Sequence, residues 1–156
     1  NISTVLLAKW LVEIQRFQSL TLMFQKEVAD RLVAGPGSKA YGRLSVFAQW
    51  LCLVQPEFDV SPSAFVPPPK VTSTVVGFRP RPEPLAAAQS ISLQAVTKAA
   101  FSQRRKMLRA SLKSLGLDAE ALCRASDIDP TARAETISVE GFCRLANAYD
   151  EARGQD

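Results

Sequence analysis

Between Lys98 and Lys113 the chain carries Lys98, Arg104, Arg105, Lys106, Arg109 and Lys113 with no acidic residue among them. Cations at this density bind polyanions, because each phosphate they neutralise releases a condensed counterion. At about 100° per residue, Lys98, Arg105, Lys106, Arg109 and Lys113 project within an arc of roughly 100°. Val96, Ala100, Phe101, Met107, Leu108 and Leu112 occupy most of the opposite side. The pattern predicts one amphipathic helix with a wholly cationic face. Solvated faces usually intersperse acids to relieve i,i+4 repulsion, so the acid-free face reads as a polyanion site. Arg104 points toward the apolar side and is expected in a structural ion pair with Glu135.

A second stretch, Pro62-Ser63-Ala64-Phe65-Val66-Pro67-Pro68-Pro69-Lys70, holds an aromatic ring between prolines. Prolines on both sides stiffen the backbone. A rigid loop presenting a ring suits stacking on an extruded base. Composition alone favours the plainer alternative, a loop Phe tucked into the core. A proline-rich ligand for SH3 or WW modules is the weakest of the three readings, since the stretch sits within a sheet.

Other chemistry is excluded. Histidine is absent, which removes Ser-His-Asp and Cys-His nucleophiles and His-based zinc sites. Cys52, Cys123 and Cys143 form no CxxC pair and read as reduced core thiols of a cytoplasmic protein; no metal is expected. Gly35-Pro36-Gly37-Ser38-Lys39 lacks P-loop spacing and follows a helix instead of a strand, so it reads as a turn. No apolar run reaches 18 residues, so no membrane span is expected. Residues 1–116 carry 15 Lys/Arg against 6 Asp/Glu, whereas residues 117–156 carry 4 against 9. A basic body with an acidic tail favours a polyanion partner. The chain opens on Asn1 without a leader, so it is expected to be a piece of something longer or to have lost its start.

The elements that must position these residues follow from periodicity. Leu6, Leu7, Trp10, Leu11 and Ile14 predict a helix over 1–16, capped by Ser3 or Thr4. A strand is expected at 19–25, a helix from Lys26 to Ala34, and a further helix after the 35–42 loop with Leu44, Phe47, Ala48 and Leu51 inward. Strands are expected at 51–60 and 71–79, giving an α/β layer. Pro80, Pro82 and Pro84 mark a linker. Ser92 is expected to cap a helix running to about Leu115, ended by Gly116, with Asp118 and Ser138 capping two more. The layout is a sheet unit over 1–82, a linker over 83–90 and a small helical domain over 91–156, which is expected to keep its own core. A doubly wound sheet needs more than three strands, so the α/β part reads as incomplete, with an uncovered face and edge.

Phe24-Gln-Lys-Glu-Val-Ala, Gly37-Ser-Lys-Ala-Tyr-Gly-Arg-Leu-Ser-Val, Pro62-Ser-Ala-Phe-Val-Pro-Pro-Pro-Lys-Val, Phe101-Ser-Gln-Arg-Arg-Lys and Asp129-Pro-Thr-Ala-Arg-Ala-Glu, the last followed by Ser138, occur in this order. Together they resemble the small-subunit ribosomal RNA adenine dimethyltransferases of the KsgA/RsmA type, over essentially the whole chain. The resemblance implies the C-terminal part of a Rossmann-like class I methyltransferase sheet followed by a helical RNA-binding domain. It implies S-adenosylmethionine-dependent transfer of two methyl groups to N6 of each of two adjacent adenosines near the 3′ end of small-subunit RNA. The partner it implies is small-subunit rRNA within the immature 30S subunit. The family's Asn-Leu-Pro-Tyr motif normally stands directly before the Asn-Ile-Ser-Thr that opens this chain, and its glycine-rich cofactor loop lies further upstream. Asn1 is therefore the residue after that motif.

By the same resemblance Phe65 becomes the base-stacking residue. Lys39, Tyr41 and Arg43 become RNA-facing, and Lys26 and Glu27 structural. Lys70, Lys98, Arg105, Lys106, Arg109 and Lys113 complete the expected RNA contacts. Two alternatives stay open: a noncatalytic RNA-binding module of ribosome assembly, and the sister large-subunit RNA adenine methyltransferases of macrolide resistance. Cofactor binding in such folds needs a glycine turn and an acidic residue at the early strands. Calorimetric titration of this 156-residue chain with S-adenosylmethionine is therefore expected to give no saturable heat; stoichiometric binding would refute the assignment.

Overall fold

Helix α1 (Ile2–Val12) buries Leu7 and Leu11, and a 3-10 turn at Ile14–Arg16 extends the same face with Ile14. Ser3 and Thr4 lie inside its first turn and not at its cap. The computed structural model describes residues 2–154, so Asn1 lies outside the described residues. The chain then enters β1 (Leu20–Gln25), α2 (Lys26–Val33), α3 (Arg43–Leu51), β2 (Cys52–Val60) and β3 (Ser73–Pro80). β3 is central and pairs antiparallel with both neighbours, so β1 and β2 run parallel to each other. A helical crossover joins them, as parallel strands require. Gln25 and Val60 both lie opposite Ser73, which puts the carboxyl ends of the two parallel strands on one rim.

One face of this sheet is a core. Leu20, Phe24, Cys52, Val76 and Phe78 pack beneath Leu7, Leu11 and Ile14 of the first helical segment and Ala29 and Leu32 of α2. Phe24 and Phe78 meet edge to face at 6.1 Å, the geometry that aromatic quadrupoles favour. The other face is open: Met23 and Leu53 are exposed by 41% and 51%, and both outer strands leave an edge unpaired among the described residues. Pro56 and the bulge between Pro56 and Phe58 interrupt the β2 edge, a device that discourages edge-to-edge pairing. Pro80 ends the central strand, opposite Cys52; at a strand terminus its missing N–H disrupts little of the ladder.

The helical half departs most from expectation. Helix α4 begins at Ser90 and stops at Ser102, where Gln103 leaves helical geometry (φ −132°, ψ 66°). Residues 103–107 form a turn, then α5 (Leu108–Ser111) and a 3-10 turn (Leu112–Leu115) follow. The single helix from Ser92 to Leu115 does not form. Tertiary partners take its backbone: Leu108 N–H donates to Ala132 O at 2.8 Å, Arg109 N–H to Pro130 O at 2.9 Å, and Met107 bridges Arg133. Ser92 is no cap either; it is buried and donates to Asp150. Gly116 closes the segment at φ +78°, a conformation that glycine adopts at little cost. Asp118 caps α6 (Ala119–Ala125) and Ser138 caps α7 (Val139–Arg153), both through their side-chain oxygens.

The two units share α3. Its fully buried residues are Ser45, Val46, Ala48 and Trp50, while Leu44, Phe47 and Leu51 are only partly covered. Ala48 faces the sheet core; Val46 and Trp50, with Tyr41 and Ala34, enter the helical core beside Leu93, Val96, Phe142 and Leu145. The proline segment is strapped down as well. Trp50 Nε1 donates to Ala86 O at 2.7 Å, Leu85 N–H to Trp50 O at 2.8 Å, and Asn147 Nδ2 to Ala87 O at 2.9 Å. The core of residues 91–156 is therefore completed by Ala34, Tyr41, Val46 and Trp50 from the sheet unit. Residues 90–156 expressed alone should show no cooperative unfolding by circular dichroism. In the intact chain, Tyr41→Phe should cost about 1–3 kcal/mol in denaturant titration, because it strips the Ile137 carbonyl of its donor.

Candidate RNA-binding and base-stacking site

Phe65 sits on the loop that leaves β2 at Val60 and returns at Ser73, at the rim where the parallel strands end. Crevices at the carboxyl ends of strands are where open α/β sheets hold ligands. A 3-10 turn at Pro62–Ala64 shapes the approach. Ser61 Oγ accepts from Ser63 N–H, Ala64 N–H donates to Ser61 O at 3.0 Å, and Phe65 N–H donates to Pro62 O at 3.2 Å. The ring is half-buried and belongs to neither hydrophobic core. A shallow cleft on the same rim is lined by Ser3, Met23, Phe24, Gln25 and Ser73.

The basic residues are distributed differently from one helical face. Lys98 stays on α4, exposed; Arg105 and Lys106 are exposed on the 103–107 turn; Arg109 and Lys113 follow on α5 and the next turn. The break after Ser102 splits the expected cationic arc. Arg109 and Lys113 line a groove shared with Asp118 and Glu120, so their field is mixed. Arg105 and Lys106 gain other neighbours through Arg104. The Arg104 guanidinium donates to Lys39 O at 3.0 Å and Tyr41 O at 2.7 Å, lies over the Phe101 ring at 5.4 Å, and stands 3.9 Å from the Glu135 carboxylate. It seats the Lys39–Arg43 segment against the Arg105–Lys106 turn. Lys39, Arg43, Lys70, Arg105 and Lys106 are all exposed, and none of them forms an ion pair among the described residues.

Tyr41 is not RNA-facing. Its side chain is wholly buried, its hydroxyl donates to Ile137 O at 2.8 Å, and its ring meets Phe101 edge on at 5.9 Å. Burial, with Glu140 and Cys143 adding to it, raises the pKa of its hydroxyl well above the ordinary tyrosine value, so it remains a neutral donor. Sequence carried a signal for this: Tyr41 precedes the helix cap by one residue, where inward-facing staples are common. Burial likewise pushes the Cys52, Cys123 and Cys143 thiols up to about 11. All three are free, buried and protonated near neutrality, which makes them poor nucleophiles. The 35–38 turn is anchored by Gly37 N–H, donated to Glu135 O at 2.6 Å with Gly37 at φ +89°. It is a structural turn and no phosphate loop.

The residues present do not build a cradle for S-adenosylmethionine. Gly35, Gly37 and Gly42 border the helical half, Gly77 lies mid-strand with the Glu57 carboxylate folded over it, and among the described residues no glycine-rich turn stands ahead of a helix at the strand ends. Among the described residues there is also no cluster suited to a metal ion and no helix long and apolar enough to cross a membrane. What the described residues offer on this side is a half-buried ring on a stiffened loop and a set of exposed cations.

The model of the family described as ribosomal RNA adenine dimethylase matches residues 1–151. The chain is 64% identical over 152 residues to ribosomal RNA small subunit methyltransferase A of Rhodospirillum rubrum, covering 97% of this chain and 52% of that protein. It is 60% identical to the protein of the same name in Xanthobacter autotrophicus, covering 98% and 54%. The chain thus spans about half the length of the curated relatives it matches. In three dimensions it is similar to a dimethyladenosine transferase from Plasmodium falciparum, with a TM-score of 0.75, 24% identity and 93% and 62% of the two chains covered. Similarity to the 23S rRNA methyltransferase ErmE is lower, at a TM-score of 0.62 and 22% identity over 94% and 61%. These likenesses establish the fold as the α/β methyltransferase kind with an appended helical unit. By sequence, over nearly all of its length, the chain belongs to the ribosomal RNA adenine dimethylase family.

Proposed function

We propose that the protein containing this chain dimethylates N6 of two adjacent adenosines near the 3′ end of small-subunit rRNA, within the immature 30S subunit in the cytoplasm. S-adenosylmethionine would supply the methyl group, bound by parts of the protein beyond the residues described here. The observation that carries the reading is the placement of Phe65, half-buried on a stiffened loop at the carboxyl rim of the parallel strands. The names of the relatives in Rhodospirillum rubrum and Xanthobacter autotrophicus favour the small-subunit substrate over the large-subunit one.

Adenine N6 is a weak nucleophile, because its lone pair is delocalised into the ring. The base must leave its stack and be held flat, with the amine aligned on the methyl donor. Phe65 offers the face on which an extruded adenine rests. Lys39, Arg43, Arg105 and Lys106 hold the RNA backbone; Lys70, Lys98, Arg109 and Lys113 extend the contact. Residues 1–82 serve as the C-terminal portion of the methyltransferase domain and residues 91–156 as the RNA-binding unit, coupled through α3 and the strapped 83–90 segment.

In the full-length protein, Phe65→Ala should lower the rate of methyl transfer by roughly ten- to a hundredfold, as expected for a lost stack of about 1–3 kcal/mol. RNA affinity, set by phosphate contacts, should change little. Wild-type turnover would return Phe65 to an ordinary loop residue. Arg105→Glu with Lys106→Glu should weaken binding to small-subunit rRNA and flatten its salt dependence. Loss of binding with no methylation by the wild-type protein under any condition would favour the noncatalytic module.

A further inference from the structure

The stems of the Phe65 loop are tied together by a polar network that the reading above leaves without a role. Asp59, the last residue but one of β2, faces Thr74 of β3 across the ladder. Thr74 Oγ1 donates to Asp59 Oδ1 at 2.8 Å. The Lys26 ammonium lies 3.5 Å from the other Asp59 oxygen and 3.8 Å from Asp30. Lys26 also donates its backbone N–H to Thr72 O at 3.0 Å. One residue at the head of α2 therefore grips both the outgoing stem, through Asp59, and the returning stem, through Thr72. The hydrogen bond from Thr74 and the charge of Lys26 hold the Asp59 carboxyl below its ordinary value, so this carboxylate is ionised at neutral pH.

Ion pairs this exposed, with both partners about half accessible, add little to global stability. What they fix here is geometry. Asp59 is two residues from Ser61, which opens the hydrogen-bonded turn that ends on Phe65. From the clamp to the ring the backbone passes through one short, internally bonded turn. A shift at Asp59 is thus carried to Phe65 with little slack, and small misplacements of a positioning group cost large factors in rate.

We propose that Lys26, Asp59 and Thr74 are positioning residues for methyl transfer, holding the Phe65 ring where the target adenine must stack. The proposal rests on the stacking role of Phe65, and the experiment separates the two. In the full-length protein, Lys26→Met, Asp59→Ala and Asp59→Asn are compared with Phe65→Ala; Asp59→Asn keeps an acceptor for Thr74 and serves if the alanine variant fails to fold. Two readouts are taken: methylation kinetics, and the rate of tryptic cleavage after Lys70, which lies exposed in the same loop. Lys26→Met and the Asp59 variant should lower kcat about tenfold, with KM for S-adenosylmethionine unchanged. Cleavage after Lys70 should accelerate while Tm stays constant, and Lys26→Arg should restore turnover. Combined with Phe65→Ala, the Asp59 variant should slow the reaction no further, because both act through one ring. Unchanged cleavage after Lys70, or a rate loss that multiplies with that of Phe65→Ala, overturns the clamp. Wild-type turnover in Phe65→Ala, with the loop still opened in the clamp variants, overturns the stacking role instead.

Discussion

The buried Tyr41 hydroxyl, donated to the Ile137 carbonyl across 96 residues of chain, is the contact on which the rest of the molecule depends. A tyrosine in an apolar core is tolerated only when its O–H finds a partner, so the segment before α3 must reach the turn before α7. That requirement places α3 between two cores. Val46 and Trp50 then complete the helical core while Ala48 completes the sheet core. The helical unit is accordingly built onto the sheet unit and is not tethered to it.

The same junction organises the surface. Phe101 fills the space between Tyr41 and Phe142, at 5.9 and 5.4 Å from their ring centres. With Phe101 held inside, Arg104 reaches the Lys39 and Tyr41 carbonyls. One guanidinium nitrogen of Arg104 donates to both of these backbone oxygens. The consequence is electrostatic. Two cationic segments far apart in sequence, 39–43 and 105–106, become neighbours without any direct attraction between them, since like charges oppose it. Core packing supplies the energy that assembles the basic rim.

The sheet unit has a division of labour between its faces and its ends. One face is spent on the core formed with α1 and α2, and the carboxyl rim carries the Phe65 loop and the cleft beside it. Loops at strand ends can carry function because the strands beneath them are rigid. Here that rigidity is extended into the loop itself by the prolines, by the Ser61-capped turn and by Lys26 across both stems. Burial keeps the three thiols protonated, Cys52 at the opposite end of the sheet and Cys123 and Cys143 in the helical core.

Local sequence determined a great deal of this chain. The strands at 20–25, 52–60 and 73–80, the helices α1 to α3, the glycine stop at Gly116 and the caps Asp118 and Ser138 were all legible, because each depends on periodicity or on hydrogen bonds within a few residues. The stretch 98–113 was not. It contains no glycine or proline to announce a break, and its helical period is good; the helix ends because Ala132, Pro130 and Arg133 offer its backbone other partners and Arg104 is drawn to the 39–41 carbonyls. Tyr41, turned toward RNA by the family resemblance, is drawn inside by distant partners: Phe101, Phe142 and Ile137 make its surroundings apolar. Residue types and local spacing fixed where the cations and the loop ring stand along the chain. Long-range contacts between segments a hundred residues apart decided which of them face solvent together, since local periodicity carries no record of a distant partner.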